Sequence, residues 1–187
     1  DIIGWDIPQT YEYLEMVQKM APIMESATGR FSTNMKMAGK MDQNMDPKYN
    51  TLDGGGMLTT RNVTLSSPKS LMKIAEAIKY DGVKSMTLDN TKVKYYFEDG
   101  RIRVDPTNFI IGKEIPSIFT GSHGFDLTMD YVMNLDIPSR LMGGAATQVV
   151  SGLMSQANKA LGTNASVPER IKMDVDIKGT TEDPKIT

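Results

Sequence analysis

A single histidine, a run of glycines and a row of aspartates are the residues whose type and spacing first suggest chemistry in this chain. His123 stands in Gly121-Ser122-His123-Gly124. Ser122 and His123 would supply two members of a Ser-His-Asp arrangement. No Gly-x-Ser-x-Gly elbow surrounds any serine, though, and the setting reads as a turn that leaves His123 structural or exposed. A metal would need carboxylates gathered around this one imidazole, and no helical or strand spacing gathers them. With no cysteine in the chain, thiolate catalysis, disulfides and cysteine-ligated zinc are out of reach. Gly54-Gly55-Gly56 lacks the following Lys-Ser/Thr of a phosphate-binding loop and opens no helix, so it reads as a flexible turn. Asn62-Val63-Thr64 and Asn164-Ala165-Ser166 have the form of glycosylation acceptors, a short pattern that arises often by chance. Asp126, Asp130 and Asp136 fall on the wet side of a strand-like segment. Exposed carboxylates lack the burial that tunes a general acid or base. The expectation is a protein that is not an enzyme and carries no cofactor and no metal.

The totals narrow the class further. A length of 187 residues predicts one domain, 1–187, with a real core. The net charge is −2, and basic residues are scattered among acids without interleaved aromatics, so nucleic acid is not an expected partner. No run approaches the roughly 18 apolar residues of a membrane span, and no segment of the chain reads as a signal peptide. The chain opens Asp1-Ile2-Ile3-Gly4-Trp5 without an initiator Met, which reads as a piece of a longer protein whose targeting and anchoring parts lie elsewhere. The 15 methionines suit either irregular core gaps or a surface that adapts to varied apolar partners.

Hydrophobic periodicity then supplies the elements. From Phe125 to Ile137 every odd position is apolar, and the even positions are polar except Val132. A strand sends successive side chains to opposite faces, so this segment has one apolar face. Phe31 to Met41, Met57 to Leu65 and Ile171 to Gly179 read as further strands, with short ones at Phe109 to Ile111 and Ile115 to Thr120. Asp99-Gly100 predicts a two-residue hairpin. Its register sets Glu98 against Arg101, Phe97 against Ile102, Tyr96 against Arg103, Tyr95 against Val104 and Lys94 against Asp105, with Pro106 ending the clean pairing. Helices are expected over Gln9 to Ala27 (stripe Tyr11, Leu14, Val17, Ala21, Met24), after Pro68 with Ser67 as cap (stripe Leu71, Ile74, Ala75, Ile78), and over Arg140 to Leu161 (stripe Leu141, Ala145, Val149, Leu153, Ala157, Leu161). Without regular strand–helix alternation a doubly wound sheet is not expected. The prediction is α+β: a long, twisted, curved, mostly antiparallel sheet with about three helices on its apolar face, residues 1–28 forming a helical lead-in and 29–187 the sheet.

Several strand ends share a form. Met37-Ala38-Gly39-Lys40-Met41-Asp42 is followed by Asp46-Pro47. Ile177-Lys178-Gly179-Thr180 is followed by Glu182-Asp183-Pro184. Between them stand Leu127-Thr128-Met129-Asp130-Tyr131 and Leu135-Asp136-Ile137-Pro138. With Leu52-Asp53-Gly54-Gly55-Gly56-Met57-Leu58 and Asn62-Val63, their order over about residues 29 to 187 resembles the C-terminal region of AsmA-like proteins of Gram-negative bacteria. That resemblance implies a periplasmic protein anchored in the inner membrane by an N-terminal helix absent here, working in outer-membrane assembly and homeostasis. It is similar to bridge-like lipid-transfer proteins, in which curved sheets carry phospholipid along an apolar groove, and it brings no catalytic residues.

Two functions follow as expectations. In the first, phospholipid or a lipid A-type lipid moves along a track formed by Met35, Met37, Tyr95, Phe97 and Phe125 together with Leu127, Met129, Tyr131, Met133 and Leu135. An acyl chain exposes about 0.8 kcal/mol per CH₂ to water, so such a track must be continuous. In the second, the helices close the sheet over a dry core, and the module contacts outer-membrane assembly proteins or neighbouring modules. The two differ in whether the apolar sheet face is open or covered. A hydrolase built on Ser122 and His123 is a distant third.

Overall fold

The computed structural model describes residues 1–112, 114–142 and 144–187, except for the side chains of Ala145, Ala146 and Val149. Its frame is one antiparallel sheet of ten strands. The strands are β1 (Ile2–Asp6), β2 (Ala27–Ala38), β3 (Asp53–Ser66), β4 (Ser85–Leu88), β5 (Lys92–Glu98), β6 (Arg101–Ile111), β7 (Ile115–Gly124), β8 (Thr128–Pro138), β9 (Arg170–Thr180) and β10 (Pro184–Ile186). They lie in the order β1-β2-β3-β5-β6-β7-β8-β9-β10, with β4 pairing the second half of β3. The helices are α1 (Ile7–Tyr13), α2 (Glu15–Met20), α3 (Lys69–Ile78) and α4 (Gly144–Leu161). The fold is therefore α+β.

Local sequence explains most of these elements. The Asp99-Gly100 turn has both residues at positive φ, 51° and 69°, which is what a two-residue turn matching the strand twist requires. The predicted pairs from Glu98–Arg101 to Tyr95–Val104 form as expected. Ladder pairing stops there, and Lys94 and Asp105 meet instead as an ion pair at 3.9 Å. Pro106 does not end the strand. It sits at a bulge between Val104 and Thr107, and β6 runs on to Ile111. A bulge tolerates a residue that has no N–H to donate.

The structure corrects several expectations. The lead-in is not one helix. Ile2–Asp6 forms the edge strand β1, and the rest divides into α1, α2 and a 3-10 turn at Pro22–Ser26. Pro22 has no N–H for a helical bond, and Leu14 lies extended between α1 and α2. Asp6, not Gln9, starts the first helix by accepting the Gln9 N–H. Gly54-Gly55-Gly56 is not a turn but part of β3, opposite Phe97, Tyr96 and Tyr95. Ser67 does not cap α3; it has φ 54°, and Pro68 holds the capping position without a side-chain bond. Residues 125–127 are not strand: Leu127 has φ 67° and β8 begins at Thr128. Asp126 accepts the N–H and the hydroxyl of Thr128 at 3.0 and 2.7 Å, and this local turn overrides the alternation. The third helix starts at Gly144, because Ser139–Leu141 is a 3-10 turn.

One face of the sheet carries the main core. Phe31, Val63, Leu65, Met133, Leu135, Ile137, Val175 and Ile177 meet Leu71, Ile74, Ala75 and Ile78 of α3 in a single cluster. The predicted stripe of α3 is thus its buried face. The sheet curves far enough for α3 to reach the last strand, where Lys73 bonds Asp183 at 3.0 Å and the Pro184 carbonyl. A second, smaller cluster of Leu52, Tyr95, Phe97 and Ile102 is covered by Met20, Tyr49 and Phe125. In contrast α4 leaves Leu153 62 % and Leu161 74 % exposed. Of its predicted stripe, Ala145 and Val149 lie outside the described side chains, while Leu141 packs on the core from the 3-10 turn.

Candidate functional site

The apolar sheet face is the place where function was expected, so its residues are taken first. Tyr131, Met133 and Leu135 alternate along β8 and are buried in the main core. Tyr95 and Phe97 are buried in the second cluster. Met129 is half-buried against the first cluster, and Met35 and Phe125 against the second. Leu127 is half-buried in the turn before β8, and Met37 is exposed near the free end of β2. Five of the ten residues are thus closed off from solvent, and the row is divided between two clusters.

Aromatic packing closes the row. Tyr49 stacks on Phe125 with ring centroids 4.6 Å apart, and Phe125 on Phe97 at 6.5 Å. Phe119 stacks on Tyr131 at 4.4 Å. Such pairs contribute about 0.5–1.5 kcal/mol beyond the area they bury. Two glycines permit this. A Cβ on Gly56 would lie 2.8 Å from the Tyr95 hydroxyl, and one on Gly121, at φ 139°, would lie 2.7 Å from the Tyr131 ring carbon Cδ1. Both distances are closer than a side chain tolerates, so the rings occupy space that only glycine leaves.

The polar centre of this face is a knot that sequence reading did not find. His123 is buried in β7, not exposed in a turn. Its Nδ1 lies 2.7 Å from the Tyr131 hydroxyl. Its Nε2 has no hydrogen-bond partner among the described residues, although the Met20 and Lys19 carbonyls lie close to the ring. Burial pushes the imidazole below its ordinary pKa, against those carbonyls and assisted by the nearby Arg101 charge. Burial also raises the Tyr131 phenol, so at neutral pH both groups are uncharged. Arg101 binds Ser122 Oγ at 2.9 Å and Thr128 Oγ1 at 3.0 Å. Ser122 therefore serves the guanidinium, and His123 bonds Tyr131. The signal was present in the sequence. Carrying the period of two from Ser117 through Phe119 and Gly121 puts His123 on the inner face.

The opposite face is polar. Asn108, Ile118, Asn134 and Asp174 stand in one registered row across β6 to β9. A shallow trough of about 1080 Å³ crosses these strands beside the Asp89–Lys92 turn, with Ile110 and Ile118 in its lining. Asp130 and Asp136 lie on this polar face as expected. Asp136 is bound by Arg170 at 3.0 Å, and Asp130 stands opposite Lys178.

Among the described residues no group of His, Asp or Glu is placed to hold a metal ion. No helix among them is long and apolar enough to cross a membrane. Compared with known proteins, the chain matches no family model, no curated protein and no solved structure.

Proposed function

We propose that this chain is a non-enzymatic structural and interaction module of an AsmA-like envelope protein, acting in the periplasm in outer-membrane maintenance and held to the inner membrane by a segment outside this chain. The family part of this reading rests on the ordered strand-end motifs between residues 29 and 187. The scaffold part rests on one observation: α3 covers the apolar sheet face, with Leu71 2 % and Ile74 0 % exposed. A lipid track along Tyr131, Met133 and Leu135 would require α3 to leave that face. This would expose four apolar side chains of α3 as well as the sheet, at roughly 1.5–3 kcal/mol for each large residue. A scaffold needs no such opening, and its partners are outer-membrane assembly proteins or neighbouring modules that read its edges and polar face.

The test is made in cells. A Gram-negative strain lacking the parent gene is expected to admit large antibiotics that an intact outer membrane excludes, and the full-length gene is expected to restore exclusion. A deletion strain with an unaltered barrier, or a parent protein recovered from the cytoplasm, contradicts the proposal.

A further inference from the structure

The ladder of β9 is covered along only part of its outer edge. β10 pairs with Gly179, Lys178 and Ile177, and Thr187 adds a reciprocal pair of backbone bonds to Asp176 at 2.8 and 3.1 Å. Asp176 therefore turns its N–H and C=O toward β10. Strand alternation turns those of Asp174, Lys172 and Arg170 to the same side. No strand among the described residues pairs with that stretch. Its side chains are sorted: Lys172 and Asp174 stand on the polar face, and Ile171 and Met173 are half-buried at the rim of the core.

We infer that this edge receives the same edge of a second copy of the chain, antiparallel and two-fold symmetric about Lys172. The sequence is self-complementary in that register. Arg170, which also binds Asp136, faces Asp174 of the partner subunit, and the symmetric pair repeats it; within the chain Asp174 also accepts from Asn134. Ile171 faces Met173 of the partner subunit on the apolar side, also twice. Lys172 faces its own copy, the single unfavourable pair. Opposite-charge and apolar cross-strand pairs favour a register, and like charges oppose it. A two-fold interface uses one patch on both copies and closes, so a dimer forms and not a fibre. The length also fits. Five residues, 170–174, pair before the partner's β10 begins, and Pro168 carries the chain out of the strand at the other end.

The other edges are less suited. Pro184 lacks an N–H, and its carbonyl is taken by Lys73 of α3. β1 carries a register shift between Ile2 and Trp5. Both are devices that protect an edge.

Sedimentation velocity of the 187-residue chain over a concentration series tests the inference. A reversible monomer–dimer equilibrium is expected. Lys172→Pro should abolish the dimer while sparing the monomer, because the Lys172 N–H makes no bond to β8. Lys172→Thr, which removes the like-charge pair, should tighten the dimer several-fold. If Lys172→Pro fails to fold by circular dichroism, Asp174→Arg sets like charges against Arg170 and should abolish the dimer instead. A wild type and a Lys172→Thr variant that are both monomeric at every concentration overturn the inference. So does a dimer that a folded Lys172→Pro or Asp174→Arg chain retains.

Discussion

Two helices of this chain carry comparable apolar stripes and have opposite fates. α3 presents Leu71, Ile74, Ala75 and Ile78 to the sheet, and all four are buried. α4 is nearly twice as long, and yet Leu153 and Leu161 on it stand in solvent. Near its C-terminus Asn158 binds the Ala165 carbonyl and amide at 2.7 and 3.0 Å, holding the return segment against the helix. α4 contains Gly152 and several β-branched residues, which lower intrinsic helicity. The comparison teaches that helical periodicity identifies a face able to be buried, while the neighbouring strands decide whether burial happens. α3 follows β3 directly and is pinned at its far side by the bond from Lys73 to the Pro184 carbonyl. α4 joins the ends of β8 and β9, where Pro138 stands opposite Arg170.

The sharpest way to break this contrast is to delete the same kind of side chain on both helices. Ile74→Ala should cost about 2–5 kcal/mol, as for other fully buried large-to-small changes, whereas Leu153→Ala should stay within about 0.5 kcal/mol. Urea unfolding of the two variants reads both values. Equal costs would mean that α4 packs against the sheet in solution.

A smaller effect is expected at Gly56, where a methyl group meets the Tyr95 ring and the Asn34 carbonyl. Gly56→Ala should cost roughly 1–3 kcal/mol through overpacking. Tyr95→Phe in the same chain should relieve only part of it, because the hydroxyl goes but the Asn34 carbonyl remains. A Gly56→Ala melting curve equal to wild type would contradict the close approach.

Next comes a pH effect from His123. Its folded pKa lies below the ordinary value of 6.5, so between those two values the unfolded chain binds more protons than the folded one. Stability is therefore full above the ordinary value and declines as pH falls through that window. Unfolding midpoints at successive pH values should show this slope in wild type and lose it in His123→Gln. The same slope in both chains would assign it to other groups.

The mildest prediction concerns hydrogen exchange. Amides of α3 should exchange only with global unfolding, and those of α4 by local opening. Lys73→Ala should speed exchange at Lys185 and Thr187, whose N–H groups face β9, while leaving α4 unchanged.

Much of the sheet was legible in the sequence, for reasons the residues make plain. The Asp99-Gly100 turn fixes its own register, and the alternation from Tyr131 to Ile137 follows the pleat. What misled were places where a local bond or a distant neighbour outweighs the pattern. Asp126 folds residues 125–127 into a turn although Phe125 and Leu127 continue the alternation. Three glycines look like a loop until the neighbouring strands' backbones, and at Gly56 the Tyr95 side chain as well, need their space. The edge strand β1 holds only five residues, too few for periodicity to separate from the helix that follows. The candidate face was found from alternation, but its closure was not, since covering depends on where α3 lands after β3 turns. His123 was misread because Gly121 and Gly124 suggested a turn around it.

The central claim is that the inner sheet face is a closed, dry core. A photo-crosslinkable phospholipid offered to the purified chain in detergent-free buffer, followed by peptide mapping, tests it most directly. The account predicts no label on the β8 peptide containing Tyr131, Met133 and Leu135. Saturable labelling of that peptide, competed by unlabelled phospholipid, would show the face open to lipid and contradict it.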